Sequence, residues 1–218
     1  GPWRGFGFGG GLFAIGSRTV PVPDSAIVFE GETRWTGVYL QDQIAMAGDR
    51  LHLLVGGRYD RVEQESTFNG SFSSQGDEAF TGRVGALYKV TDAVSPYVSF
   101  SQSFAPSFGI ARTGPLDPER ATQYEAGLKL GRDGAPLGAN LAVYEITKDE
   151  VAVADPNDPG FSVPGGEQRS RGFEVDVNGQ LDPRTSVIAT YAYTDTKVIA
   201  SDFLPDGARF ANVPLHSA

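Results

Sequence analysis

Six charged side chains interrupt runs of apolar or small neighbours: Arg58, Arg83, Glu125, Lys129, Glu174 and Asp176. In an extended chain successive side chains point to opposite faces, so each of these charges stands on the polar side of a two-faced segment. Such a charge is tolerated where it meets water or an opposite charge, whereas one facing lipid costs about 2–4 kcal/mol. Arg58, Arg83, Lys129 and also Arg171 are the cations available to Glu125 and Glu174. The chemistry they imply is a hydrated, charged wall, and nothing nearby points to catalysis. Serines are frequent, but no Gly-x-Ser-x-Gly elbow occurs. The glycines from Gly5 to Gly11 are not followed by Lys-Ser/Thr, as a phosphate loop requires. His52 and His216 are far apart and the chain has no cysteine, so a dedicated metal site is not expected. Asp155 to Gly160 is acidic and turn-rich, yet it lacks the closing Glu of a calcium loop and reads as a surface loop.

These charges must be held by strands. From Leu51 to Asp60, the odd positions Leu51, Leu53, Val55 and Tyr59 share one face, and His52, Arg58 and Asp60 share the other. Tyr124, Ala126, Leu128 and Leu130 oppose Gln123, Glu125 and Lys129 in the same way, and Phe173, Val175 and Val177 oppose Glu174 and Asp176. A period of two marks a strand, and about nine full strands are read, with a tenth beginning near Asn212. Tight turns at Ala47–Arg50, Val90–Ala93, Arg132–Ala135 and Asp182–Thr185 separate longer polar stretches near 17–32, 64–79, 105–121, 154–168 and 199–211. Strict alternation of short and long connections is expected of an outer-membrane barrel, whose periplasmic ends are tight and whose extracellular ends carry long loops. The expected class is therefore all-β, an antiparallel up-and-down transmembrane β-barrel. It would be about 9–10 strands of a larger barrel, or a small closed or partly open one, forming a single domain over 1–218.

Composition agrees. No apolar run is long enough for a membrane-spanning helix, while a mean hydropathy of -0.22 suits strands with only one apolar face. A net charge of -9 argues against nucleic acid as a partner. Tyr39, Tyr59, Phe80, Tyr88, Tyr97, Phe104, Tyr124, Tyr144 and Tyr193 fall toward strand ends and are expected in interfacial girdles.

Several stretches then occur in a telling order. Gly37-Val38-Tyr39-Leu40-Gln41-Asp42-Gln43-Ile44 and Leu54-Val55-Gly56-Gly57-Arg58-Tyr59-Asp60 come first, followed by Tyr97 to Phe104, Leu116 to Glu119, Gln123 to Gly127, Gly166 to Glu174 and Asn212 to Ala218. This ordered set resembles the barrel of TonB-dependent ferric-siderophore receptors. The resemblance implies an outer-membrane receptor that captures a ferric siderophore in its loops and is driven by the TonB-ExbB-ExbD system through a plug domain. Iron then enters only as part of the cargo, with no resident cofactor and no enzyme activity. Under it, the charged wall would line the lumen and touch the plug, or merely hydrate the lumen.

Two departures from the family pattern are read: no plug precedes the barrel strands, and about half of a 22-stranded barrel is present. Residues 1–32, with Gly1 to Phe13, resemble a strand that normally follows the Asn212-to-Ala218 motif, so the order looks displaced. Candidate ligand contacts, from loop position, are Phe68, Phe72, Phe108, Arg112 and Phe161. Their rings can pack on a chelate's organic shell, and Arg112 can meet its negative charge. A passive, porin-like or structural barrel is the alternative function.

Overall fold

A computed structural model describes residues 13–14, 29–68, 70–107, 111, 116–131 and 135–218. The described chain is strand and connection, with no helix long and apolar enough to cross a membrane. The strands are β1 (Phe13–Ala14), β2 (Phe29–Met46), β3 (Leu51–Phe68), β4 (Ser71–Tyr88), β5 (Val94–Ala105), β6 (Glu119–Leu130), β7 (Leu137–Asp149), β8 (Ala152–Ala154), β9 (Ser162–Pro164), β10 (Glu167–Asp182), β11 (Thr185–Ala200) and β12 (His216–Ser217). Ten of them form one antiparallel sheet in the order β1-β2-β3-β4-β5-β6-β7-β10-β11-β12, and β8 pairs with β9 separately. The meander is open, with β1 and β12 at its edges among the described residues. Eight of the ten strands are long, against about nine read from alternation, because the two edge strands contribute only two residues each.

The β2–β3 turn is tight because the chain accepts left-handed backbone there. Ala47, Gly48 and Asp49 all have positive φ between β2 and β3, a conformation that costs a residue with a Cβ roughly 1–2 kcal/mol. Asp49 is tied down by Lys89 from the next turn, with Nζ donating to Oδ2 at 2.8 Å. At the β10–β11 turn the Asp182 carboxylate accepts the Arg184 N–H at 2.7 Å.

At the other end the stretch 64–79 is not a loop. β3 and β4 stay paired through eighteen residues each, from Leu51↔Tyr88 to Phe68↔Ser71. At about 3.3 Å per residue such a strand is about 60 Å long, well beyond the 9–11 residues needed to cross a bilayer. The sequence there is Ser-, Glu- and Gln-rich, so its hydropathy reads as loop. The ladder continues because cross-strand partners keep its backbone groups satisfied. Phe68 and Phe72 therefore flank a hairpin tip rather than lie in an irregular connection.

The stretch 154–168 also differs from an open loop. It holds the β8–β9 hairpin, whose tip is closed by Asp155 N donating to Phe161 O at 2.9 Å. The Asp155 carboxylate accepts the Asn157 N–H at 2.8 Å, so the acidic run is occupied in shaping its own turn.

Candidate functional site: the two faces of the sheet

Directly paired residues of an antiparallel sheet share a face, so the register extends each strand's alternation across the whole wall. Arg83 pairs with Gly56 and Ser101. Ser99 pairs with Glu125, Glu125 with Tyr144, Lys129 with Asn140, Glu174 with Ala142 and Asp176 with Asn140. Arg58 pairs with Tyr39 and Thr81 on that same side. All six charged residues singled out in the sequence thus lie on one face, called here the inner face.

The other face is apolar and bare. Val55, Val84, Val98, Val143 and Phe173 are each at least 40% exposed, and left in water this surface would be far larger than a monomer normally shows. On β3 the outer apolar positions run from Leu51 to Tyr59, about 30 Å of strand. With the usual barrel tilt this is about 23 Å of height, close to the apolar band of roughly 25 Å in such barrels. Charge returns directly above it. Arg61 faces Glu78 one step beyond Tyr59 and Phe80, and Arg171 meets Asp195 at 3.4 Å one step beyond Phe173 and Tyr193. Arg171 is therefore a correction, since it belongs to the outer face and is not a partner for Glu125 or Glu174.

The aromatic set divides by the same register. Tyr59, Phe80, Tyr88, Tyr124 and Tyr193 stand on the outer face, as a girdle requires. Tyr39, Tyr97 and Tyr144 stand on the inner face and do different work. Tyr97 Oη donates to Glu125 at 2.7 Å, and Tyr144 shares a 3.1 Å hydrogen bond with Thr194. Phe104 is buried, edge-on to Trp35 and packed with Val62 and Ala79. Membership of a girdle cannot be read from position along one strand, because the face depends on pairing.

Two polar clusters organise the inner face. Lower on the wall, Glu125 accepts from Tyr97 and from Gln123 Nε2, and Lys129 sits 5.5 Å from the centre of the Tyr97 ring. A Cβ at Gly127 would lie 2.5 Å from the Leu141 carbonyl oxygen and closer still to Tyr97, so only glycine admits that ring. Neither Glu125 nor Glu174 reaches a cation in an ion pair among the described residues. Glu125 is satisfied by neutral donors instead.

Higher up, Asp60 is only 2% exposed. It accepts from Trp35 Nε1 at 2.6 Å and from Arg58 Nε and Nη2 at 2.7–2.8 Å. Gly37 makes room, since a Cβ there would meet both Arg58 and Asp60. Sequence reasoning misses Trp35 and Asp60 as site residues. Parity does place them on one face with Arg58 and Tyr39, but their contact depends on the β2–β3 register.

Of the loop candidates, Phe72 is exposed beside the β3–β4 tip and Phe161 is half-buried at the β8–β9 tip. Phe68 closes β3, while Phe108 and Arg112 lie outside the described residues. Among the described residues, no group of three or more His, Cys, Asp or Glu side chains is placed to hold a metal ion. His52 lies 3.4 Å from Asp49, and His216 Nδ1 lies 2.8 Å from Tyr191 Oη.

Against known proteins, residues 3–218 match the family model described as TonB dependent receptor-like, beta-barrel. The chain is 38% identical over 187 residues to the metal-pseudopaline receptor of Pseudomonas aeruginosa, covering 82% of this chain and 26% of that protein. It is also 38% identical over 186 residues to the ferrichrome outer membrane transporter/phage receptor of Escherichia coli, covering 84% and 24%. The alcaligin outer-membrane receptor of Bordetella pertussis superposes with a TM-score of 0.67 at 25% identity, over 86% of this chain and 33% of that one. The chain spans about a quarter of the length of the curated relatives it matches.

Proposed function

The chain belongs to the TonB-dependent receptor β-barrel family, and from that premise we propose that the protein takes up ferric siderophores. Its place is the bacterial outer membrane, where this family resides. The observation that carries the reading is the two-faced wall, with all six charges on one side and a bare apolar band on the other. That division fits lipid outside and a wet passage within. The ferrichrome transporter among the relatives supports a ferric chelate as cargo. Iron is then substrate rather than resident cofactor, and the role is reception and transport rather than catalysis. Energy would come through the TonB-ExbB-ExbD system and a plug domain, as family membership implies.

The ends that rise beyond the apolar band would meet the ligand first. Phe72 and Phe161 stand at two such tips, where rings can pack on an organic chelate. Phe68, Phe108 and Arg112 complete the proposed contact set. The test is uptake of radioactive iron by a receptor-deficient bacterium expressing the whole receptor, offered as different siderophores. Energy-dependent accumulation with at least one chelate is the expected result, and accumulation with none overturns the reading. Phe72→Ala with Phe161→Ala should weaken chelate binding about five-fold, the effect of losing roughly 1 kcal/mol of contact. Unchanged affinity in that double variant would remove the two rings from the site.

A further inference from the structure

Above Arg83↔Ser101 the sheet divides. β5 leaves β4 there, and Gln102 Oε1 takes the Gly82 N–H at 3.3 Å in place of a strand partner. β5 nevertheless stays paired with β6 as far as Ala105↔Glu119. The upper β5–β6 pair leans over the inner face of the β3–β4 hairpin, where Phe104 packs on Val62 and Ala79. Pro106, Leu116 and Pro118 are buried at the two ends of the connection that follows.

Two glutamines hold that connection at its neck. Gln64 and Gln75 pair directly across β3 and β4 on the inner face. Gln64 Nε2 donates to the Ser107 carbonyl at 3.3 Å and Gln75 Nε2 to the Leu116 carbonyl at 3.2 Å, one on each limb of the neck. Ser107 Oγ donates to the Asp117 carbonyl at 2.6 Å and ties the limbs together. Gln75 Nε2 also donates to Asp77 Oδ1 at 3.1 Å. This amide nitrogen thus faces two acceptors, which only its N–H groups can satisfy. A neck whose ends meet in this way is the mark of a compact surface loop. The β3–β4 ladder runs from Leu51 to Phe68 on backbone bonds alone, so the two amides serve the neck and not the hairpin.

We propose that Gln64 and Gln75 are positioning residues for ligand capture: they fasten the neck of the β5–β6 connection to the β3–β4 hairpin, so that a ferric chelate meets both as one preformed surface. The inference rests on the uptake reading and adds to it the pair of side chains that sets the relation between two ligand-facing ends. A preformed surface binds more tightly because less freedom is lost on association. A neck released from the hairpin has to be ordered again at each encounter. The loss then falls on capture, and transport of a chelate already bound is unaffected.

The test uses the whole receptor and two measurements. Gln64→Met and Gln75→Met keep the length of each side chain and remove its donors. Spin labels on Ser74→Cys and Asp117→Cys, both at exposed positions of a chain without cysteine, report the distance from hairpin to neck with no ligand present. That distance should be narrowly distributed in the labelled parent and broaden in the double methionine variant. Uptake is then followed with the ferric siderophore that the receptor accumulates, ferrichrome being offered first. Each single variant should raise the half-saturating concentration about five-fold, the worth of one net hydrogen bond, and the double variant at least ten-fold. Maximal rate and melting temperature should not change. Gln64→Lys, which restores a donor, should recover part of the loss, whereas Gln64→Glu, which keeps the size without the donor, should not. An unbroadened distance or an unchanged half-saturating concentration in the double variant overturns the proposal. So does a loss confined to maximal rate or melting temperature, which would make the glutamines structural only. A parent receptor that accumulates no chelate defeats the uptake reading instead, and the distance measurement still decides whether the glutamines fasten the neck.

Discussion

The two faces of this sheet are built from the same strands and often from adjacent residues, yet they solve opposite problems. Outward residues such as Val98, Val143 and Phe173 are exposed and apolar with nothing among the described residues to cover them. Inward residues such as Tyr97, Glu125 and Asp60 are polar and find partners within the wall. The outer face is arranged for a surrounding that makes no hydrogen bonds, so its requirement is only to be apolar over the right height. The inner face meets water and ligands, so its requirement is geometric: acceptors such as Glu125 and Asp60 have placed donors, and glycines stand where rings or guanidinium groups need room. Outward stability therefore depends on residue class, and inward stability on fit.

The sharpest way to break that contrast uses neighbours in sequence. Val98→Arg places a charge in the apolar band and should cost about 2–4 kcal/mol, the penalty for arginine near the bilayer midplane. Ser99→Arg, one residue along, points inward beside Glu125 and should stay within about 0.5 kcal/mol. Denaturant unfolding of each variant in lipid vesicles measures the difference. Equal costs would mean that the two faces do not meet different solvents.

Much of this contrast is legible in the amino-acid sequence, for a physical reason. Alternation with a period of two is a property of a single strand, so Val98 against Ser99, or Phe173 against Glu174, needs no partner to be read. Anything decided between strands is hidden there. Arg171 reads as available to the inner carboxylates because it is a cation near Glu174, but its pairing with Asp195 puts it outside. Tyr97 and Tyr144 read as girdle residues for the same reason. The hairpin through 64–79 is masked because polar strands above a bilayer carry no hydropathy signal. The Trp35–Asp60 contact joins residues twenty-five apart, and no local pattern states that register. The open ten-stranded sheet bears out the barrel class, while residues 1–12 and 15–28 of the segment 1–32 read as displaced fall outside the described residues.

A second contrast sets the crowded inner wall against open space on the outer side of the upper hairpin. Gly127→Ala should cost about 1–3 kcal/mol, the usual range for overpacking, because the new methyl group meets a carbonyl of β7 as well as the Tyr97 ring. Gly76→Ala, on β4 in the upper hairpin, has nothing within 4 Å of the new methyl group and should be neutral or slightly stabilising. If the same unfolding measurement ranks them the other way, fit is not what governs the inner face. A double variant Gly127→Ala with Tyr97→Ala sharpens the point, since it removes the ring and should recover part of the loss. The part that remains reports the clash with the Leu141 carbonyl, which no side-chain change relieves.

The smallest expected effect lies where neither face operates, at the tight turns. Asp49 titrates below the ordinary aspartate value of about 3.9, chiefly because Lys89 donates to it and lies close in charge. Asp182 does so chiefly because the Arg184 backbone N–H donates to its carboxylate. For a carboxylate whose folded pKa is depressed, stability is present above the unfolded value and is lost as pH falls through the folded one. Both turns should therefore hold unchanged from neutral pH to about 4 and loosen only below it. Amide hydrogen exchange at Arg184 and Thr185 follows one of them directly. Protection there should fall between about pH 4 and 2 in the wild-type chain, and be low and pH-insensitive, after correction for intrinsic exchange, in Asp182→Asn. The side-chain amide oxygen of asparagine can still accept but carries no charge. An Asp182→Asn chain that kept full protection would show that the backbone geometry holds the turn by itself, with the carboxylate adding nothing.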